Sequence, residues 1–136
     1  MNPPLLLTVD DSSLQRRALA DLFAGYDCRV LQAENGAEGL AMIRQHHPDL
    51  VLLDCDMPVL DGIGLLRALR ADPAIRGTSV IMVTANNAAA TLAAVARLGV
   101  RDFVPKPHDG PALVAKVARW IRLVPRAGDG QAAGVP

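Results

Sequence analysis

Three short runs, "LLLTV" (5–9), "DLVLLD" (49–54) and "SVIMVT" (79–84), are apolar on successive residues. A strand that reads this way has both faces buried, which is the signature of a parallel sheet covered by helices on both sides. No other feature constrains the chain so tightly. Two further runs fit the same sheet at its margins. "CRVLQA" (28–33) alternates apolar and polar residues, as an exposed edge strand does. "RDFVP" (101–105) is short and ends in Pro105, which cannot donate to a ladder.

The intervening segments carry helical period. "SSLQRRALADLFAG" places Leu14, Ala18, Leu19 and Leu22 on one stripe, with Ser12 and Gln15 spaced as a capping box and Gly25 as a stop. Helices are predicted at about 37–46, 62–71 and 88–98, the last ended by Gly99. A final helix over "PALVAKVARWIRLV" (111–124) is predicted to bury Leu113, Val117, Trp120, Ile121 and Val124 and to turn Lys116, Arg119 and Arg122 outward. Strict strand–helix alternation with right-handed crossovers predicts an α/β sandwich. Two edge-like and three central runs favour a five-stranded, doubly wound parallel sheet of flavodoxin-like order 2-1-3-4-5. The tail "PRAGDGQAAGVP" (125–136) has no periodicity and is read as a disordered tail or a linker.

In such a sheet, ligands bind beyond the carboxyl ends of the strands at the point where strand order reverses, here between strands 1 and 3. Asp10 and Asp11 end strand 1, Asp54 ends strand 3, Thr84 ends strand 4 and Lys106 follows strand 5. Asp54 and Asp56 follow a buried run with Asp61 close behind, so their charge needs an offsetting partner. A hard divalent cation held by carboxylates, a carbonyl and waters meets that need, and Mg²⁺ is the expected ion. Asp54 is then an ionised nucleophile toward phosphorus. The Thr84 hydroxyl and the Lys106 ammonium are suitable donors to phosphoryl oxygens. None of His46, His47 and His108 falls at a strand's carboxyl end inside this cluster.

Four motifs, in this order and at these strand ends, resemble the receiver domain of two-component response regulators: "VDDS" (9–12), "LLDCDMPVLDG" (52–62), "TA" (84–85) and "KP" (106–107). The resemblance covers about residues 4–124 and places a receiver domain over 1–124. It implies that Asp54 accepts a phosphoryl group from a histidine kinase or a histidine phosphotransfer protein. Asp10 and Asp11 resemble the pair that holds Mg²⁺ together with Asp54 and the backbone carbonyl of Asp56. Thr84 resembles the switch hydroxyl, followed by Ala85, and Lys106 the phosphate-binding lysine; the bond to Pro107 is often cis in this family. Asp56 and Asn86, two residues after the acceptor and after Thr84, are expected to tune dephosphorylation. The sequence departs from the family pattern at Phe103, where tyrosine is common; lacking the phenolic hydroxyl, Phe103 is expected to act in the switch by packing alone, into the space that Thr84 vacates. It departs again at His108, where an aromatic is usual.

Other readings compete. "LLDCD" is also a D-x-D on a hydrophobic strand, as in haloacid-dehalogenase-type phosphatases. Those carry D-x-D on the first strand and the acidic pair last, the reverse of the order here. A module of the same fold that signals without phosphate is the second alternative. Cys55 reads as a small buried hydrophobe, the His46–His47 pair as helix-end residues favoured by the dipole, and "MP" and "DG" as turn and helix-start chemistry.

Lys plus Arg and Asp plus Glu each number 14, so no net basic field points to nucleic acid or to an anionic membrane. The N-terminus lacks the pattern of a signal peptide, and the expected location is the cytoplasm. The receiver is expected to assist its own phosphotransfer and dephosphorylation only. No output domain is recognised in the sequence, so it reads as a stand-alone receiver or the front of a larger regulator, docking a downstream protein through residues 88–124.

Overall fold

The computed structural model describes residues 2–126. Five parallel strands form one sheet in the order β2-β1-β3-β4-β5, with β1 at Leu5–Val9, β2 at Arg29–Ala33, β3 at Leu50–Leu53, β4 at Val80–Thr84 and β5 at Asp102–Pro105. Helices α1 (Ser13–Phe23), α2 (Gly36–His46), α3 (Gly62–Ala71), α4 (Ala89–Arg97) and α5 (Gly110–Val117) supply the crossovers. This is the flavodoxin-like architecture expected from the sequence.

The continuous apolar runs are explained by two cores, one on each face of the sheet. Leu7, Val9, Val51, Leu53, Val80 and Met82 face α2, α3 and α4; Leu6, Leu50, Leu52, Ile81, Val83 and Val104 face α1 and α5. Successive strand residues point to opposite faces, so β1, β3 and β4 feed both layers and are buried throughout. Each fully buried aliphatic side chain contributes about 1.5–3 kcal/mol. β2 and β5 stand at the edges and are partly exposed.

Two helical expectations need correction. The predicted stripe on α1 includes Leu14 and Ala18, but Leu14 is 78% exposed and Ala18 is also exposed. The buried face is Leu19 and Phe23, with Leu22 partly buried. The final helix ends at Val117, not near 124. A looser turn carries the chain to Ile121, which is buried, whereas Trp120 and Val124 are exposed. Trp120 instead offers its ring to the Arg101 guanidinium, 5.1 Å from the centroid.

What stops the helix is long-range. Val124 O accepts from Asp27 N–H at 2.7 Å, Tyr26 bridges to Pro125, and Arg126 bonds the carbonyls of Ala24 and Gly25. Pro125 and Arg126 are therefore strapped to the turn between α1 and β2. The rest of the tail, 127–136, lies outside the described residues.

Candidate functional site

Strand pairing brings the acidic residues together. β1 and β3 are neighbours with Val9 opposite Leu53, and Asp54 N–H donates to Val9 O at 2.9 Å. The residues that follow the two strands, Asp10 and Asp54, therefore emerge side by side. One carboxylate oxygen from each of Asp10, Asp11 and Asp54 lies within 4.8 Å of the others. Asp10 is 3% and Asp54 7% exposed, while Asp11 is open to solvent.

Lys106 reaches into this cluster from the loop after β5. Its Nζ donates to Asp10 Oδ2 at 2.7 Å and lies 3.5 Å from Asp54 Oδ2. Backbone groups hold the remaining oxygens. Ser12 N–H donates to Asp10 Oδ1 at 2.9 Å, and Cys55 N–H donates to Asp54 Oδ1 at 2.8 Å. Three carboxylates face one ammonium, an excess of negative charge built from hard oxygen donors. Such a set fits Mg²⁺ or a similar divalent cation and not a soft metal.

The other flank is formed by β4 and β5. Thr84, buried at the end of β4, accepts from Asn86 N–H through Oγ1 at 3.2 Å, and its carbonyl accepts from Lys106 N–H at 3.0 Å. Ala85 is exposed and lines, with Lys106, Pro107, Gln15, Ala18 and His108, an open cavity of about 440 Å³. The Lys106–Pro107 peptide bond is cis. Asn86 Nδ2 donates to Asp56 Oδ1 at 3.3 Å, so the loops after β3 and β4 are linked across the mouth. Phe103 stands apart: its ring packs, partly buried, against the core beneath α2, α3 and α4.

The loop carrying Asp56 is held tightly. Asp61 caps α3 by accepting from Gly64 N–H, and Gly62 N–H donates to Cys55 O at 2.7 Å. A Cβ on Gly62 would come within 2.3 Å of Asp54 O, so only glycine permits this approach. Cys55 is buried, and its thiol is pushed up to about 11, first by burial and then by Asp56, Asp61 and Asp54. It is a neutral core thiol, in keeping with the sequence reading. His47 caps α2 in the left-handed conformation, with His46 in the last helical turn.

Three contacts were not legible beforehand. Arg16 Nη1 donates to the Asp10 carbonyl at 2.6 Å. Gln15 does not complete a capping box. Its backbone N–H bonds Ser12 Oγ, but its side chain turns away to His108, and Ser12 N–H goes to Asp10 instead. The available signal was the pair of polar residues, Gln15 and Arg16, on a helix whose outward face carries Leu14.

Residues 6–118 match the family model of the response regulator receiver domain. The chain belongs to this family. It is thus a receiver domain of two-component signalling, from a family that accepts phosphorylation and is not a catalytic enzyme family as such. The phosphatase alternative falls with that assignment. Protein PilH of Pseudomonas aeruginosa is 36% identical over 112 residues, covering 82% of this chain and 93% of its own. The CAI-1 autoinducer sensor kinase/phosphatase CqsS of Vibrio cholerae is 35% identical over 85% of this chain, which spans only 17% of that protein. Among solved structures, a response regulator receiver protein from Pseudomonas putida superimposes with a TM-score of 0.82 at 28% identity, covering 88% of this chain and 98% of that one. The receiver domain of a Pseudomonas aeruginosa sensor histidine kinase holds a magnesium ion in its active-site cleft; its TM-score is 0.79 at 25% identity, over 87% of this chain and 97% of that one. Among the described residues no helix is long and apolar enough to cross a membrane.

Proposed function

We propose that the domain, over 1–124, takes a phosphoryl group from a histidine kinase or histidine phosphotransfer protein onto Asp54 and thereby switches the surface around residues 84–124, whose part over 88–124 docks a downstream protein. The observation that carries this reading is the position of Asp54. It is a buried carboxylate at the carboxyl end of the third strand, bracketed by an acidic pair on one side and the Lys106 ammonium on the other. Its Oδ1 accepts from Cys55 N–H and its Oδ2 lies 3.5 Å from the Lys106 ammonium, which supports a role as nucleophile toward phosphorus beside a donor for the phosphoryl oxygens.

Asp10, Asp11, Asp54 and the Asp56 backbone carbonyl would hold Mg²⁺, which supplies positive charge against the carboxylates and the phosphoryl oxygens when bound. Cys55 N–H holds Asp54 Oδ1 and leaves Oδ2, on the Lys106 side, to attack. The new oxygen–phosphorus bond forms as the bond from phosphorus to the donor's nitrogen breaks, and the electron pair stays with that nitrogen. Lys106 transfers its ammonium from the carboxylates to a phosphoryl oxygen. The Thr84 hydroxyl and the Ala85 N–H are donors to the others. Asp56 and Asn86 flank the approach of water and set how long the phosphoryl group survives. The setting for these steps is the cytoplasm.

The test is incubation with acetyl phosphate and Mg²⁺, read by intact mass. One added phosphoryl group is expected, lost in Asp54→Asn and in the presence of a chelator. Equal labelling of the Asp54→Asn protein would move the acceptor elsewhere and overturn the reading.

A further inference from the structure

Gln15 and Arg16 are neighbours near the start of α1, and they reach to opposite sides of the site. Arg16 donates to the carbonyl of Asp10 at 2.6 Å. The side-chain amide of Gln15 donates through Nε2 to Nε2 of His108 at 3.0 Å, 93 residues away in sequence. One helical turn therefore grips both the acidic loop after β1 and the loop after β5 that carries Lys106.

The loop after β5 has few other anchors. Between Pro105 and Gly110, Lys106 N–H bonds the Thr84 carbonyl, and its ammonium bonds Asp10. Asp109, the residue before α5, makes no side-chain capping bond. Pro107 has no N–H and is exposed. Apart from the lysine's own ammonium, His108 is the side-chain tie from this loop to another element among the described residues.

That tie is kept at a cost. With Nε2 accepting from the Gln15 amide, the ring proton sits on Nδ1. Nδ1 is buried and has no hydrogen-bond partner among the described residues, and a buried unpaired N–H is destabilising. A ring without nitrogen would carry no such penalty. The imidazole's polar edge is instead spent on Gln15.

We propose that Gln15 and His108 are positioning residues that set where Lys106 meets the phosphoryl group. The proposal rests on Asp54 as acceptor. A lysine is a point charge on a flexible stem, so its placement depends on where the backbone at its root is held. Lys106 is held on one side by Thr84 O, and two residues later by the His108–Gln15 bond.

The test uses Gln15→Met, His108→Phe and the double variant, each close in size to the residue it replaces. Phosphoryl gain from acetyl phosphate is followed at saturating Mg²⁺, Mg²⁺ affinity is measured separately, and the Lys106 ε-methylene NMR signals are recorded in the unphosphorylated protein. Each single variant is expected to slow phosphoryl gain about threefold to tenfold at saturating Mg²⁺, so that any change in Mg²⁺ affinity cannot account for the loss. The double variant is expected to be no slower than the slower single one, since both cut the same bond. The Lys106 signals should move in all three. Rates equal to the parent protein, additive losses in the double variant, or unmoved Lys106 signals would each overturn the proposal. A parent protein that gains no phosphoryl group would instead overturn the acceptor reading, and the Lys106 signals alone would then decide whether the tie positions the lysine.

Discussion

Lys106 lies closer to Asp10 than to Asp54: its Nζ is 2.7 Å from Asp10 Oδ2 and 3.5 Å from Asp54 Oδ2. The ammonium therefore rests mainly on a carboxylate of the acidic pair. The other Asp10 oxygen is held by Ser12 N–H, so both of its oxygens are engaged before any metal arrives.

A lysine bound in this way competes with a divalent cation for Asp10. Lys106→Met is expected to tighten Mg²⁺ binding roughly tenfold, because an opposite charge at hydrogen-bond range stabilises a carboxylate by that order. The same substitution should slow phosphoryl gain, since it removes the ammonium proposed to meet a phosphoryl oxygen. Titration calorimetry separates the two effects. Weaker Mg²⁺ binding in the variant would show that the lysine organises the acidic pair and does not compete for it.

The site's cluster was legible in the sequence because each member is fixed by a local rule. Asp10, Asp54 and Thr84 each stand at the carboxyl end of a run whose strand character is unambiguous, Lys106 follows a shorter edge run, and parallel pairing then aligns those ends. Trp120 was not legible, because its place depends on contacts far away in sequence. Helical period continues through Val124, but the bonds to Asp27, Ala24 and Gly25 draw the chain off the helix. Leu14 was misplaced for a different reason. Counting only apolar residues overlooked Gln15 and Arg16, which are half-buried and bond His108 and the Asp10 carbonyl.

Cys55 is expected to be inert despite its place beside Asp54. With its thiol at about 11, it is neutral at pH 7.5, and it is buried. Burial raises Cys28 as well. An iodoacetamide reaction at pH 7.5 should label neither cysteine in the folded protein and both in guanidinium. The sign of the linkage follows from the raised value. The unfolded thiol ionises near 9 and the folded one near 11, so the stability that Cys55 contributes by remaining neutral is whole below pH 9 and declines as pH rises toward 11. Urea midpoints should fall over that window, and less steeply in Cys55→Ala. Rapid labelling of the folded protein would show that the loop opens.

Two glycines of similar sequence character should differ sharply. Gly62→Ala places a methyl group 2.3 Å from the Asp54 carbonyl and 2.9 Å from Cys55 Cα, backbone atoms that cannot yield without moving Asp54. It is expected to destabilise by about 3 kcal/mol and to slow phosphoryl gain. Gly77→Ala meets nothing within 4 Å and should be neutral or stabilising by up to about 1 kcal/mol. Urea denaturation measures both. Equal effects would show that the loop between β3 and α3 has slack.

Asn86 should govern how long the phosphoryl group lasts. Its side chain is engaged at both ends. Nδ2 donates to Asp56 Oδ1 at 3.3 Å, and Oδ1 accepts from Ala88 N–H at 3.2 Å. Its backbone N–H meanwhile donates to the Thr84 hydroxyl oxygen at 3.2 Å. The residue thus spans the mouth between the loops after β3 and β4. Water is expected to reach the phosphorus opposite Asp54 through this mouth. Asn86→Ala removes it and is expected to shorten the phosphoryl lifetime about threefold to tenfold by admitting water. Asp56→Asn keeps an oxygen that can accept from Asn86, so its lifetime should lie nearer that of the parent protein. The decay of the phosphorylated mass after acetyl phosphate is removed measures both. If the two variants decay at the parent rate, the bridge plays no part in excluding water. If Asp56→Asn decays as fast as Asn86→Ala, the charge of Asp56, and not the bridge, controls the lifetime.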